Sequence, residues 1–369
     1  MKKILYKKDS KGKIRVFSID TKGAELIQQS GLLDGKLVTQ SKICKSKNVG
    51  RANETTPESQ ALAELDSRYL KKLDEGYFKT QKEAEEEEVL LPMLAKPIED
   101  VESKVDWKSG HVFAQPKLDG MRCLAIITED SIKLASRKGK EITTLPHIIE
   151  ELKVLQEALK GRSEDRWILD GELYAHGLSF QENMKLIKKT RPESTQVKYH
   201  VYDGVLDAPF AFRIGYVRGV TSLVTHTKSE SKYLVYVQTD QVASKKELDK
   251  VHQKNLKDGY EGTILRHGTD PYKINARASQ LLKYKDFIDI AAKIIDITPA
   301  EQRTEWGVPV CEFNGKTFRC NTKMSHEDKR DLLTNKDKYI GKTAEVRFFE
   351  YTDTGIPRFP VMVGIRLDK

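Results

Sequence analysis

The sequence has 369 residues, 38% of them hydrophobic and 32% charged, with a formal net charge of +9. That length allows two or three domains with separate cores, and no apolar run approaches the roughly 20 residues of a membrane helix, so a helical membrane protein is excluded. Four scattered cysteines (Cys44, Cys123, Cys311 and Cys320) form no CxxC pair, which argues against a disulfide scaffold or zinc cluster and for reduced thiols in a cytoplasm.

The first residues, Met1-Lys2-Lys3, are basic but lead into no apolar h-region, so no secretory signal is expected. Residues 1–80 carry 17 Lys/Arg against 10 Asp/Glu, after which Glu83, Glu85, Glu86, Glu87 and Glu88 reverse the sign. A basic excess of this kind fits a phosphate-rich partner, and it fits a solubilising lysine surface equally well. Charge therefore nominates nucleic acid as a partner and says nothing of a reaction.

In chain order, residues 1–80 read as a small α+β module. A strand near Ile4–Tyr6 and another at Ile14–Ile19 flank a turn at Asp9-Ser10-Lys11-Gly12, and Gly31 and Asp34-Gly35 predict further hairpin turns. Thr56-Pro57 reads as an N-cap with proline at N1. It opens a helix carrying Ala61, Leu62, Leu65, Tyr69 and Leu73, which Gly76 stops. Residues 81–91 read as an acidic linker or solvated helix.

A larger α+β region follows over 92–287, with a helix predicted at Ile148–Leu159. The last part, 288–369, is rich in short strands. Asn314-Gly315 between Val310–Phe313 and Lys316–Arg319 predicts a two-residue hairpin, and Ala344–Phe349 and Val361–Ile365 add strands. The pattern fits a five-stranded OB-fold β-barrel.

Candidate chemistry centres on Gln115-Pro116-Lys117-Leu118-Asp119-Gly120-Met121-Arg122. The β-like runs Val112–Ala114 and Cys123–Ile127 place Lys117 on a tight loop, where Asp-Gly brings backbone close to a ligand. A lysine held among other cations has its amine favoured in the free form, fit to attack the α-phosphate of a nucleotide. Taken singly, the remaining candidates stay ambiguous. Tyr202 also reads as a core aromatic, Asp170-Gly171 as a plain turn, and Lys283 and Lys285 as a solvated pair on one strand face.

Taken in order, these segments resemble the covalent nucleotidyltransferase superfamily, and within it the ATP-dependent DNA ligases of compact viral or bacteriophage type. Lys117-Leu118-Asp119-Gly120 is similar to the K-x-D-G element, Ser136-Arg137-Lys138-Gly139 to S-R-x-G, and Leu169-Asp170-Gly171-Glu172-Leu173 to L-D-G-E-L. Val201-Tyr202-Asp203, Glu261-Gly262-Thr263-Ile264-Leu265-Arg266, Leu282-Lys283-Tyr284-Lys285 and Arg366-Leu367-Asp368-Lys369 continue the series, and Pro92-Met93-Leu94-Ala95 is similar to its usual start. Val49-Gly50-Arg51 through Phe78 weakly resembles a WGR nucleic-acid-binding module, without its tryptophan.

The resemblance implies an adenylation domain followed by the OB barrel, and Lys117 as the nucleophile that carries AMP. Lys283 and Lys285 would neutralise the α-phosphate, and Gln115, Arg122 and Arg277 would join the nucleotide site. Arg137 would reach the nick phosphate or the nucleotide, and Tyr202 would stack on adenine. Glu172 would hold ribose or metal, Glu261 metal, and Arg366, Asp368 and Lys369 the pyrophosphate leaving group. ATP with Mg²⁺ (Mn²⁺ as substitute), nicked duplex DNA as partner, a monomer and a cytoplasmic location (the host's, if the source is viral) complete the expectation. An RNA-end ligase, an mRNA-capping guanylyltransferase and a DNA-binding module without catalysis are the alternatives.

Overall fold

The computed structural model describes residues 2–9, 12–86, 90–162, 165–227, 232–301, 303–352 and 354–366, the side chains of 225–227 excepted. It divides into two compact units, Met1–Tyr284 and Lys285–Lys369. Among the described residues no helix is long and apolar enough to cross a membrane.

The first unit begins with an antiparallel meander of four strands, Lys3–Lys8, Ile14–Lys22, Glu25–Leu32 and Val38–Ile43, in sequential order. Leu5, Phe17, Ile19 and Leu26 pack on Ala61 and Leu65 of the helix Pro57–Asp74. The Thr56 hydroxyl accepts the Ser59 N–H at the start of this helix, and Gly76 follows its end at φ +79°. Gly31 is no turn: it lies inside Glu25–Leu32, where a Cβ would stand 2.7 Å from the Lys36 carbonyl oxygen of the returning chain. The acidic stretch starts as the helix Gln81–Glu86, whose Ala84 is fully buried, so its inner side is docked rather than solvated.

Two five-stranded sheets build the rest of the first unit. One runs, in spatial order, Leu234–Tyr236, Lys198–Gly204, Arg166–Tyr174, Met121–Thr128 and Ile132–Ser136. The helices Pro146–Leu159 and Phe210–Thr227 cover it through Leu152, Leu155, Val217 and Val220. The other runs Asp240–Gln241, Val112–Lys117, Gly262–His267, Arg277–Tyr284 and Leu94–Pro97, with Leu248 of the helix Lys245–Lys257 packed on Val112, Ala114 and Leu265. Lys117 ends a strand of the second sheet and Met121 begins a strand of the first, so Leu118-Asp119-Gly120 crosses from one sheet to the other.

The second unit is a β-barrel around Ala292, Ile294, Cys311, Phe318, Val346 and Phe348. Its long strand Ile288–Pro299 pairs with Gly307–Phe313 on one side and Thr343–Phe348 on the other. Asn314 (φ +49°) and Gly315 (φ +71°) make the two-residue turn into Lys316–Arg319. The sheet's two outermost pieces, Lys316–Arg319 and Asn321–Thr322, are consecutive in the chain and separated only by Cys320. One segment thus pairs with both edges, Gly307–Phe313 and Val361–Arg366, and closes a five-stranded ring.

Candidate active site

Lys117 faces Gly262 across the strand pair, and its carbonyl accepts the Glu261 N–H at 3.0 Å. The same two residues meet through their side chains, where Lys117 Nζ forms an ion pair with the Glu261 carboxylate. The Glu261 side chain is only 4% exposed and that of Lys117 20%. The loop after Lys117 lies flat on the strand Arg166–Tyr174. A Cβ on Gly120 would stand 2.2 Å from the Leu173 carbonyl oxygen and 3.0 Å from Glu172 Cγ. Gly171 is similarly crowded, its Cβ falling 2.4 Å from the His200 carbonyl oxygen. Both Asp-Gly dipeptides therefore mark backbones packed closer than any side chain allows.

Glu172 sits in a row across the first sheet, opposite Arg122 on one neighbouring strand and His200 on the other. The Tyr202 hydroxyl donates to the Gly171 carbonyl at 3.1 Å and to Glu172 Oε2 at 3.3 Å. Burial pushes the Glu172 carboxyl up to about 7, with the charges of Lys117 and Arg122 pulling the other way. Burial also pushes His200 down to about 4. Lys283, on the strand beside Gly262–His267, is lowered by burial and by the nearby charges of Lys117 and Arg277. Lys117, Glu172, Lys283 and Glu261 thus share one electrostatic neighbourhood.

Several expected nucleotide ligands are engaged elsewhere. Gln115 is buried; its Nε2 donates to the Tyr202 carbonyl at 3.0 Å and to Thr239 Oγ1 at 2.9 Å, and its Oε1 accepts from Arg266 Nε at 2.9 Å. Arg122 grips Asp170 with two hydrogen bonds of 2.9 and 2.5 Å. Burial opposes its charge, but Asp170 holds the guanidinium well above its ordinary pKa. Exposed Arg277 donates to the Ala95 carbonyl, and Arg137 stands exposed on the turn after Ile132–Ser136.

Beneath the site lies a charged network that reading the sequence missed. Buried Asp203 is held by Arg213 at 2.8 Å and paired with Arg266, and Tyr272 donates to Asp170 at 2.6 Å. The guanidiniums of Arg122 and Arg266 lie 5.4 and 5.6 Å from the centroid of the Tyr202 ring. Removing one member of such a network leaves an uncompensated buried charge, costing about 3–5 kcal/mol. Asp170, Asp203 and Arg266 belong to the family-like motifs, whereas Arg213, inside the helix Phe210–Thr227, carries no local signal.

In the second unit, Lys285 Nζ lies 4.4 Å from the centroid of the Phe349 ring. The strand holding Lys283 ends at Tyr284, so the expected single strand face for both lysines is corrected to one lysine on the strand and one beyond it. Arg366 closes the strand Val361–Arg366 and pairs with Glu345 at 3.0 Å, while Asp368 and Lys369 lie outside the described residues. Among the described residues no three His, Cys, Asp or Glu are grouped to hold an ion. Glu172 and Glu261 are two hard oxygen donors, a set that fits Mg²⁺ arriving with substrate phosphates better than an all-protein cage.

Two sheets meeting at a strand-end lysine, with a closed β-barrel as a second unit, define a nucleotidyltransferase with an OB-like partner domain. Residues 92–285 match the family model for the ATP dependent DNA ligase domain, and residues 305–366 that for the DNA ligase OB-like domain. The chain belongs to the ATP-dependent DNA ligase family. It is 26% identical over 376 residues to a DNA ligase of African swine fever virus (isolate Warthog/Namibia/Wart80/1980), covering 95% of this chain and 86% of the relative. It is 27% identical over 286 residues to the DNA ligase of Enterobacteria phage T4, covering 63% of this chain and 58% of that one. A solved structure described as Pmar-Lig_Pre superposes with a TM-score of 0.61 at 19% identity, covering 83% of this chain and 71% of that chain, a likeness of fold.

Proposed function

We propose that this chain seals 5′-phosphate/3′-hydroxyl nicks in duplex DNA through a lysyl-AMP and a DNA-adenylate. The observation that carries the proposal is Lys117, held at a strand end against Glu261, with Lys283 and Glu172 in the same field. Lys117 Nζ, as free amine, attacks the α-phosphorus of ATP; a P–N bond forms, the α–β P–O bond breaks and pyrophosphate leaves. An oxygen of the nick's 5′-phosphate then attacks the same phosphorus, and Nζ leaves and regains its proton. The 3′-hydroxyl finally attacks the 5′-phosphate, forming the phosphodiester and releasing AMP.

Lys283 offsets charge on the α-phosphate, and Tyr202 supports the base by its ring face. Arg277 and Arg137 reach nucleotide or nick, and Arg366 with Asp368 and Lys369 orients pyrophosphate. Lys285 adds a second cation. Glu172 and Glu261 would hold Mg²⁺, which when bound supplies further neutralisation of phosphate oxygens.

Incubation with α-labelled ATP should leave an acid-labile label on the denatured protein, and Lys117→Ala should abolish it. A label from GTP or NAD instead, or an undiminished label on the variant, refutes the assignment. Sealing of RNA but not DNA nicks would favour an RNA-end ligase.

A further inference from the structure

His252, in the helix Lys245–Lys257, is wholly buried and has no part in the transfer steps. It grips two neighbouring strands. Its Nδ1 shares a hydrogen bond of 3.1 Å with the Thr263 hydroxyl, which also accepts from Asn255 Nδ2 at 2.9 Å. Its ring lies flat on that of Tyr284, with 3.9 Å between centroids and 15° between planes. Thr263 and Tyr284 stand opposite each other in the sheet, and Thr263 also faces Pro116 on the strand that ends at Lys117. The Tyr284 hydroxyl is held as well, donating to Asp249 Oδ1 at 3.0 Å and accepting from Lys245 Nζ at 3.2 Å on the same helix.

Each of these strand residues adjoins a group that the transfer needs. Glu261 stands two places before Thr263, at the entry to its strand, and Lys283 immediately precedes Tyr284. Successive side chains on a strand point to opposite faces, so Tyr284, packed with Leu282 on the helix side, sends Lys283 to the other side of the sheet. We infer that His252 is a positioning residue for the adenylation step, fixing through Thr263 and Tyr284 the strand ends that carry Glu261 and Lys283 to Lys117. The inference rests on the lysyl-AMP reading proposed for the site. A ring stacked on one strand and hydrogen-bonded to the next resists both sliding and tilting of the pair. Since a misplacement near 1 Å slows a transfer by about 100-fold, a partial shift is read as a loss of about tenfold in rate.

The test follows label transfer from α-labelled ATP to the full-length protein in single-turnover time courses, which read rate constant, half-saturating ATP and final extent separately. His252→Phe keeps a ring on Tyr284 but offers nothing to the Thr263 hydroxyl, and Thr263→Val removes the same bond from the other end. Each should lower the maximal rate constant by about tenfold, with half-saturating ATP within about twofold of the wild type. The double variant should be no slower than Thr263→Val alone, because both changes remove one shared interaction. Thr263→Ser, which keeps the hydroxyl, should label at the wild-type rate. A histidine that merely stabilises the fold would lower the melting temperature and the extent of labelling and leave the rate constant unchanged. That result overturns the inference, as does a double variant whose losses multiply, and either leaves the ligase reading intact. If His252→Phe does not fold, Thr263→Val and Thr263→Ser decide between the same outcomes. A wild-type chain that takes no label from ATP removes the parent reading and this inference with it.

Discussion

Glu172 holds its proton more tightly in the folded protein than in the unfolded chain, and that difference has a measurable sign. Its carboxyl moves from 4.5 to about 7 on folding, chiefly through burial. Between those values the folded state binds the extra proton, so stability falls as pH rises through the window and levels off above it. With chelator present and no nucleotide, the melting temperature of the wild type should drop further between pH 5 and pH 8 than that of Glu172→Gln; equal drops would show that the carboxyl is not the source. At this scale the sequence revealed which residues gather but not what each one touches. Lys117, Glu172 and Glu261 were legible because short motifs name them. The destinations of Arg122 and Gln115 were not, since their partners Asp170 and Thr239 stand 48 and 124 positions away. A cation that the resemblance assigns to the nucleotide site is thus committed to a buried carboxylate, which no local pattern displays.

The crossing between the two sheets is where local backbone geometry governs the chemistry. Gly120→Ala would force a methyl group against the Leu173 carbonyl oxygen, 2.2 Å away, and a loop lifted to relieve this would carry Lys117 with it. The rate of self-labelling should fall by about 100-fold, as expected for a misplacement near 1 Å, while the melting temperature changes modestly. A labelling rate within twofold of the wild type would show that the loop tolerates the shift. Elements with strong end signals were readable in advance. Thr56-Pro57 opened its helix and Asn314-Gly315 turned its hairpin because each needs only neighbouring residues. Gly31 misled, since a glycine kept for close approach to Lys36 reads in sequence like one kept for a turn.

The basic module and the catalytic sheets share one compact unit, yet among the described residues few charges tie them. Lys140–Asp74 at 2.7 Å has both side chains 55% exposed, and Lys138–Glu75 spans 4.0 Å, so each contributes at most about 1 kcal/mol. Deleting residues 1–86 (through the helix that buries Ala84, so that no apolar face is stranded) should leave self-labelling nearly intact. Binding to nicked DNA should weaken, and its salt dependence should flatten by about 0.9 log units per log unit of salt for each phosphate that is no longer neutralised. Unchanged affinity in a salt titration would refute a DNA-gripping role for the module. In the second unit, the segment from Lys316 to Thr322 pairs with one edge of the barrel before Cys320 and with the other edge after it. It works as a clasp with two catches on a single pin. Each half of this segment fastens one seam, so opening this one stretch exposes both strand borders at once. A break at the Asn314-Gly315 turn, by contrast, would leave both catches shut.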